Sequence, residues 1–157
     1  MKITFLTIGK TEDAYLRDGI DKYVKRLKHY TRLELVDLPE LKNTKALTEP
    51  QQKAKEAELL LKKISPLDHV ILLDDKGMEF TSKQFSAYID KKSIGSTSSL
   101  VFIVGGPYGF DQSVYDRAND KLSLSRMTFS HQMIRLFFVE QLYRAYTILK
   151  GEPYHHE

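Results

Sequence analysis

The segment Gly105-Gly106-Pro107-Tyr108-Gly109 offers a ligand backbone rather than side chains, because glycine lets the chain turn sharply and be approached closely. It directly follows the most apolar stretch of the sequence, residues 100–104, so it lies where a buried strand leaves the core. Two other segments share that setting. Leu73-Asp74-Asp75 ends the apolar run that begins at His69, and Leu124, Ser125, Arg126, Met127, Thr128 and Phe129 lead away from a strand at 121–125. One glycine turn is explained equally well by tight strand-to-helix packing. Three such segments at strand ends favour a ligand site, since open parallel sheets bind ligands beyond the carboxyl ends of their strands.

A second group of residues has a different chemistry. Arg144 follows Glu140 by four positions, which makes an ordinary helix ion pair or, near a ligand, a cation that stabilises negative charge on a substrate. Tyr154-His155-His156 is either an unstructured tail or a set of groups for stacking and proton handling. Two histidines without further ligands do not make a metal site, so no metal is expected. The absence of cysteine removes disulfides, thiolate metal sites and cysteine nucleophiles together. No G-x-x-x-x-G-K-[ST] occurs, and Gly9 stands alone after the first strand, so neither a P-loop nor a G-x-G-x-x-G dinucleotide turn is present.

The elements that must position these groups alternate along the whole chain. Strands are expected at 2–8, 33–38, 69–74, 100–104 and 121–125. Thr11 reads as an N-cap, with Glu12 and Asp13 in the first turn of a helix whose apolar positions are Leu16, Ile20, Tyr23, Val24, Leu27 and Tyr30. Thr48 with Gln51 and Thr81 with Gln84 have capping-box spacing. The first of these boxes opens a helix that sets Ala54, Ala57, Leu61 and Ile64 on one face, and the second a helix with Phe85, Tyr88 and Ile89 inward. A short helix starts near Asp111, and the last helix runs over 130–150 with Gly151 as its C′ residue. Five strand–helix alternations mean parallel strands with helical crossovers, an α/β fold with helices on both faces of the sheet.

The last helix is apolar around most of its girth, through Met133, Ile134, Phe137, Phe138, Leu142, Tyr143, Ala145, Tyr146 and Leu149. A helix buried on two sides in a small domain needs a second partner, which predicts a homodimer. The 157 residues fit one domain, 1–157, with no separate RNA-binding domain. Neither a signal peptide nor a membrane span is recognisable, so the expected location is cytoplasmic, with no membrane partner. The net charge of +3 is a weak pointer to a polyanion, and Lys22, Lys25, Arg26 and His29 share one helical face that is either simply solvated or meets RNA.

Taken together, 101–107, Leu122-Ser123-Leu124-Ser125, Met127-Thr128-Phe129-Ser130-His131, 140–145 and Pro153-Tyr154-His155 resemble the RlmH family of small SPOUT-class methyltransferases. The likeness extends to 2–10 and to the chain length. It implies a parallel-sheet SPOUT fold with a C-terminal trefoil knot, S-adenosylmethionine as cofactor, and a homodimer with each site at the subunit interface. It also implies N3-methylation of a pseudouridine in helix 69 of 23S ribosomal RNA, on the ribosome or large subunit. Cofactor contacts carried over by position fall on Leu73, Gly105, Leu124, Ser125, Arg126, Met127, Thr128 and Phe129. The acceptor nitrogen carries a proton that must leave, so the catalytic candidates are Arg144 to stabilise developing charge, His155 to position or accept a proton, and Tyr154 to stack on the base. Two other readings keep the fold: a non-catalytic module that binds RNA or ribosomes, and a methyltransferase of another RNA.

Overall fold

In the computed structural model, which describes residues 1–156, five strands form one sheet in which every pairing is parallel. The elements are β1 (Lys2–Ile8), α1 (Ala14–Leu27), β2 (Arg32–Leu38), α2 (Glu49–Lys63), β3 (His69–Glu79), α3 (Ser82–Ile94), β4 (Ser99–Val104), α4 (Gln112–Arg117), β5 (Asp120–Ser123) and α5 (Met133–Leu149). Their order across the sheet is β2-β1-β4-β3-β5.

The two faces follow from strand alternation. Ile3, Phe5, Ile71, Leu73, Leu100, Phe102 and Val104 point to one face and meet α1, α3 and α5. Leu6, Ile8, Val70, Leu72, Val101 and Ile103 point to the other and meet α2 and α4. Apolar residues at consecutive positions are what a strand covered on both sides requires. The chain crosses the sheet in one direction through α1 and α3 and in the opposite direction through α2 and α4. Putting those pairs on opposite faces keeps every crossover right-handed.

Both capping boxes form, with the Thr48 and Thr81 hydroxyls accepting from the amides of Gln51 and Gln84. Other local expectations change under tertiary contacts. Thr11 does not cap α1, whose N-cap is Asp13 without a side-chain bond, because the Thr11 hydroxyl instead accepts from Arg135 at 3.3 Å. Glu12 and Asp13 consequently lie outside the first turn. In α2 the buried face is Glu56, Ala57 and Leu60, while Ala54 is exposed and Leu61 and Ile64 are half-buried. β3 continues past Asp74, because residues 74–77 bulge and Met78 pairs again with Leu122. Gly77 permits this: a Cβ there would lie 2.6 Å from the Leu122 backbone.

The helix expected at 130–150 begins at Met133, after a turn in which the Ser130 hydroxyl accepts from the Met133 amide at 3.1 Å. Near its start Arg135 is 1 % exposed. Its guanidinium donates to the carbonyls of Ile8 and Gly9, both at 2.9 Å, and to that of His131 at 3.1 Å. Arg135 therefore ties α5 to the carboxyl end of β1. Among the described residues no helix is long and apolar enough to cross a membrane.

Candidate active site

A cleft of about 590 Å³ opens at the carboxyl edge of β3, β4 and β5. Three strand-end segments form it. Leu73 and Asp74 close one end, Gly105 to Gly109 form a wall, and Leu124, Ser125, Met127, Thr128 and Phe129 form the opposite wall. The first turn of α5 contributes Ile134, preceded by His131. All the cofactor candidates named above line this cleft except Arg126, which is turned outward and paired with Glu79 at 3.2 Å.

The walls are held mainly by backbone geometry. Gly109 adopts a φ of +84° and donates to the Gly106 carbonyl at 3.2 Å, closing a β-turn with Pro107 at its second position. A Cβ on Gly105 would lie 3.2 Å from the Phe110 ring and 3.3 Å from the Gly109 carbonyl, tighter than usual contact, so a side chain there would press on the folded-back turn. The opposite wall is a chain of serine turns. Ser123 donates to the Ser125 carbonyl at 2.8 Å, and the Ser125 hydroxyl accepts from the Met127 amide at 2.9 Å. At the closed end Asp74 accepts from the Tyr115 hydroxyl and from the Lys76 amide. Burial works to raise the Asp74 carboxyl, but these bonds outweigh it and hold it below its ordinary value. The Tyr115 phenol is pushed up in turn by burial and by Asp74.

The second group lies elsewhere on α5. Gly151, with a φ of +67°, turns the chain back, so residues 152–155 run against α5 and α1. Glu152 accepts from the Tyr30 hydroxyl at 2.6 Å, which pushes that phenol up to about 12. Tyr154 donates to Glu140 at 2.9 Å, lies 3.2 Å from the Tyr23 hydroxyl and meets the Tyr143 ring edge-on at 4.8 Å. Arg144 donates to Glu140 at 2.6 Å and to His155 Nδ1 at 3.1 Å, with its guanidinium 4.7 Å from the Tyr154 ring centre. Burial would lower the Arg144 guanidinium, but Glu140 outweighs it and the net direction is upward. The structure thus brings Arg144, Tyr154 and His155 together, with the Glu140 pair as part of the cluster. His156 stays exposed beside it.

The basic face of α1 borders this cluster through Tyr23. Arg26 stacks between Tyr23 and Tyr143 at 5.7 and 5.5 Å, whereas Lys25 turns to Asp21. Among the described residues no cluster of three or more histidines and acids could hold a metal.

Arg144 does not reach the cleft of its own chain. Ile134 lines the cleft and Arg144 follows ten residues later on the same helix, a separation of about 15 Å at 1.5 Å per residue. The sequence pattern also gives no role to Tyr115, Arg135 or Glu56. Tyr115 and Arg135 carried no local signal. Glu56 carried none either, since only the fold shows that the buried face of α2 runs through Glu56, Ala57 and Leu60.

The model of the family described as Predicted SPOUT methyltransferase matches residues 1–155. The chain is 57% identical over 157 residues to the Ribosomal RNA large subunit methyltransferase H of Parabacteroides distasonis, covering all of both chains. It is 54% identical to the protein of that name from Cytophaga hutchinsonii, over 99% of this chain and all of that one. The crystal structure of a probable methyltransferase from Bordetella pertussis Tohama I superposes with a TM-score of 0.56 at 10% identity, covering 92% of this chain and 93% of that one, a likeness of fold alone.

Proposed function

Because the chain belongs to the SPOUT methyltransferase family, we propose that it is a ribosomal RNA large-subunit methyltransferase that takes its methyl group from S-adenosylmethionine. The carrying observation is the cleft built by Leu73, Gly105 and 124–129. Its size lies within the roughly 300–1,000 Å³ of small-molecule sites, and its walls suit an adenosyl and methionyl group. Leu73, Leu124, Met127 and Phe129 supply apolar surface, and the Gly105 turn supplies backbone donors and acceptors. The bound cofactor supplies an electrophilic methyl group on a sulfonium. The protein's main task is to align that group with the acceptor, since an in-line displacement depends on placement.

Within this reading the target is N3 of a pseudouridine in helix 69 of 23S ribosomal RNA, and the working location is the cytoplasm. Arg144 stabilises the negative charge that grows on the base as its N3 proton leaves. Arginine only donates, so in this contact His155 Nδ1 accepts from Arg144. In this arrangement His155 positions Arg144 or accepts a proton. Tyr154, held by Glu140 and Tyr23, presents an aromatic surface beside the cluster for a flipped base.

The separation between cleft and cluster supports a homodimer in which one protomer's cleft meets its partner's tail. Met127 is 76 % exposed, and Phe137, 36 % exposed, packs on Phe129 of the same wall at 4.8 Å, apolar surface that a second copy would cover. The trefoil threading of the C-terminal region belongs to the same proposal.

Titration calorimetry with S-adenosylhomocysteine tests the cofactor, and mass mapping of 23S ribosomal RNA from a deletion strain tests the target. Binding by the folded protein and loss of one methyl group in helix 69 are expected. Loss of a methyl group elsewhere in the RNA would move the target, and an unchanged RNA would leave only a binding module.

A further inference from the structure

We propose that Glu56 of α2 is a positioning residue whose carboxyl lies behind Gly106 and sets the shape of the glycine turn that receives the cofactor. This rests on reading the cleft as the S-adenosylmethionine site. Glu56 is 4 % exposed, among Ala57, Leu60 and the apolar face of the sheet. Its Oε1 has no hydrogen-bond partner among the described residues, and its Oε2 accepts only from Gln52, at a long 3.4 Å. Buried polar atoms without partners are rare because they are costly, so one that persists calls for a reason.

The reason lies in what the carboxyl touches. A Cβ on Gly106 would stand 2.6 Å from Oε2 and 2.7 Å from Oε1 of Glu56. The Gly106 backbone is not left-handed, unlike that of Gly109, so conformational freedom does not explain a glycine at 106. The Glu56 head group does: it is flat, and it occupies the space a side chain at 106 would need. The other face of the turn lines the cleft. Glu56 therefore backs the turn from the core side, opposite the ligand. Burial pushes its carboxyl up, with only Gln52 pulling the other way, which favours the uncharged acid. A planar head against Gly106, with one oxygen left unpartnered among the described residues, is what distinguishes Glu56 from an apolar filler.

The test uses the full chain, amide hydrogen exchange, and calorimetry with S-adenosylhomocysteine. Glu56→Met fills similar volume without an orphaned polar atom, so a merely structural role predicts equal or better stability and no change at the turn. On the proposal, exchange at residues 105–110 rises about tenfold relative to α5, and affinity for the probe falls about tenfold. Glu56→Gln keeps the planar head and restores most of both. Gly106→Ala alone weakens binding, and Glu56→Ala in the same chain recovers part of the loss because the methyl group enters the vacated space. Met and Gln variants that behave alike in both measurements would overturn the proposal, as would a double variant no better than Gly106→Ala. If the unaltered protein binds no S-adenosylhomocysteine, the cofactor reading fails, and exchange at 105–110 still decides the role of Glu56.

Discussion

The two ends of α5 are built on opposite plans. At its start the cleft is shaped by backbone: glycine and serine turns, apolar walls, and one carboxylate already held by Tyr115 and an amide. At its finish Arg144, Glu140, Tyr154 and His155 form a charged and aromatic network joined by side-chain contacts. The first plan suits holding a preformed molecule by shape, and the second suits answering charge that appears during reaction. The difference teaches that affinity for cofactor and rate of transfer should be separable by mutation, although one helix carries both.

The largest effects that would break this division are expected at Arg144 and in the tail that meets it. Arg144→Ala should lower turnover by at least about 100-fold while the affinity for S-adenosylhomocysteine stays within about threefold. A parallel fall in affinity would mean that the two ends are not independent. Mixing subunits sharpens the point. In the proposed homodimer, Thr128→Trp blocks the exposed wall of the cleft and Arg144→Ala removes the cation, so either variant alone should be inactive. A mixed dimer should regain activity, because one of its two sites pairs an intact cleft with the partner's intact tail. No recovery would place the whole site within one chain.

Truncation after Gly151 comes next. It removes Glu152, Tyr154 and His155 and their bonds to Tyr30, Glu140 and Arg144. Turnover should vanish while cofactor affinity and the melting transition change little. The tail packs on α5 from outside the core, so its loss exposes few apolar groups.

Arg135 and Arg144 lie nine residues apart on one helix and make the comparison within a single residue type. Arg135 is buried and serves three backbone carbonyls. Arg135→Met should cost about 3 kcal/mol of stability, because the carbonyls of Ile8 and Gly9 lose a charged donor. At this chain length that lowers the melting temperature by roughly 10 °C in calorimetry. Arg144→Ala should leave it within about 3 °C, its guanidinium being partly solvated.

What the sequence made legible follows the same division. The sheet was readable because β4 and β3 are apolar at consecutive positions, a local property that reports burial on both faces. The capping boxes at Thr48 and Thr81 involve partners three residues away and formed as their spacing implies. Thr11 failed as a cap because its hydroxyl is engaged by Arg135, from the far end of the chain. The bulge in β3 depends on Gly77 meeting the Leu122 backbone, again a tertiary fact. In the cleft, strand-end position was enough to bring Leu73, Gly105 and 124–129 together, but not to show that Arg126 turns away to Glu79. Glu56 escaped notice because an acid in a helix normally faces water, and only the Gly106 contact shows why this one does not.

The smallest expected effect concerns Asp74, the one carboxylate that the cleft shares with the core. Its folded-state pKa lies below the ordinary value, burial opposing this and the bonds from Tyr115 and the Lys76 amide prevailing. A group depressed in this way adds stability that is present above its unfolded pKa of about 3.9 and lost as pH falls through the folded value. Tyr115→Phe removes the strongest of the opposing bonds and leaves the carboxyl buried, so the folded pKa should rise. The variant should therefore lose stability near neutrality and show a shallower acid limb below about pH 5, measured by urea denaturation across pH. If the tail end of α5 is independent of the cleft, the pH dependence of Arg144→Ala should match that of the unaltered protein over the same range. An identical acid limb in Tyr115→Phe would show that the phenol contributes nothing to holding Asp74, and would leave that to the Lys76 amide, Asp75 and Lys121.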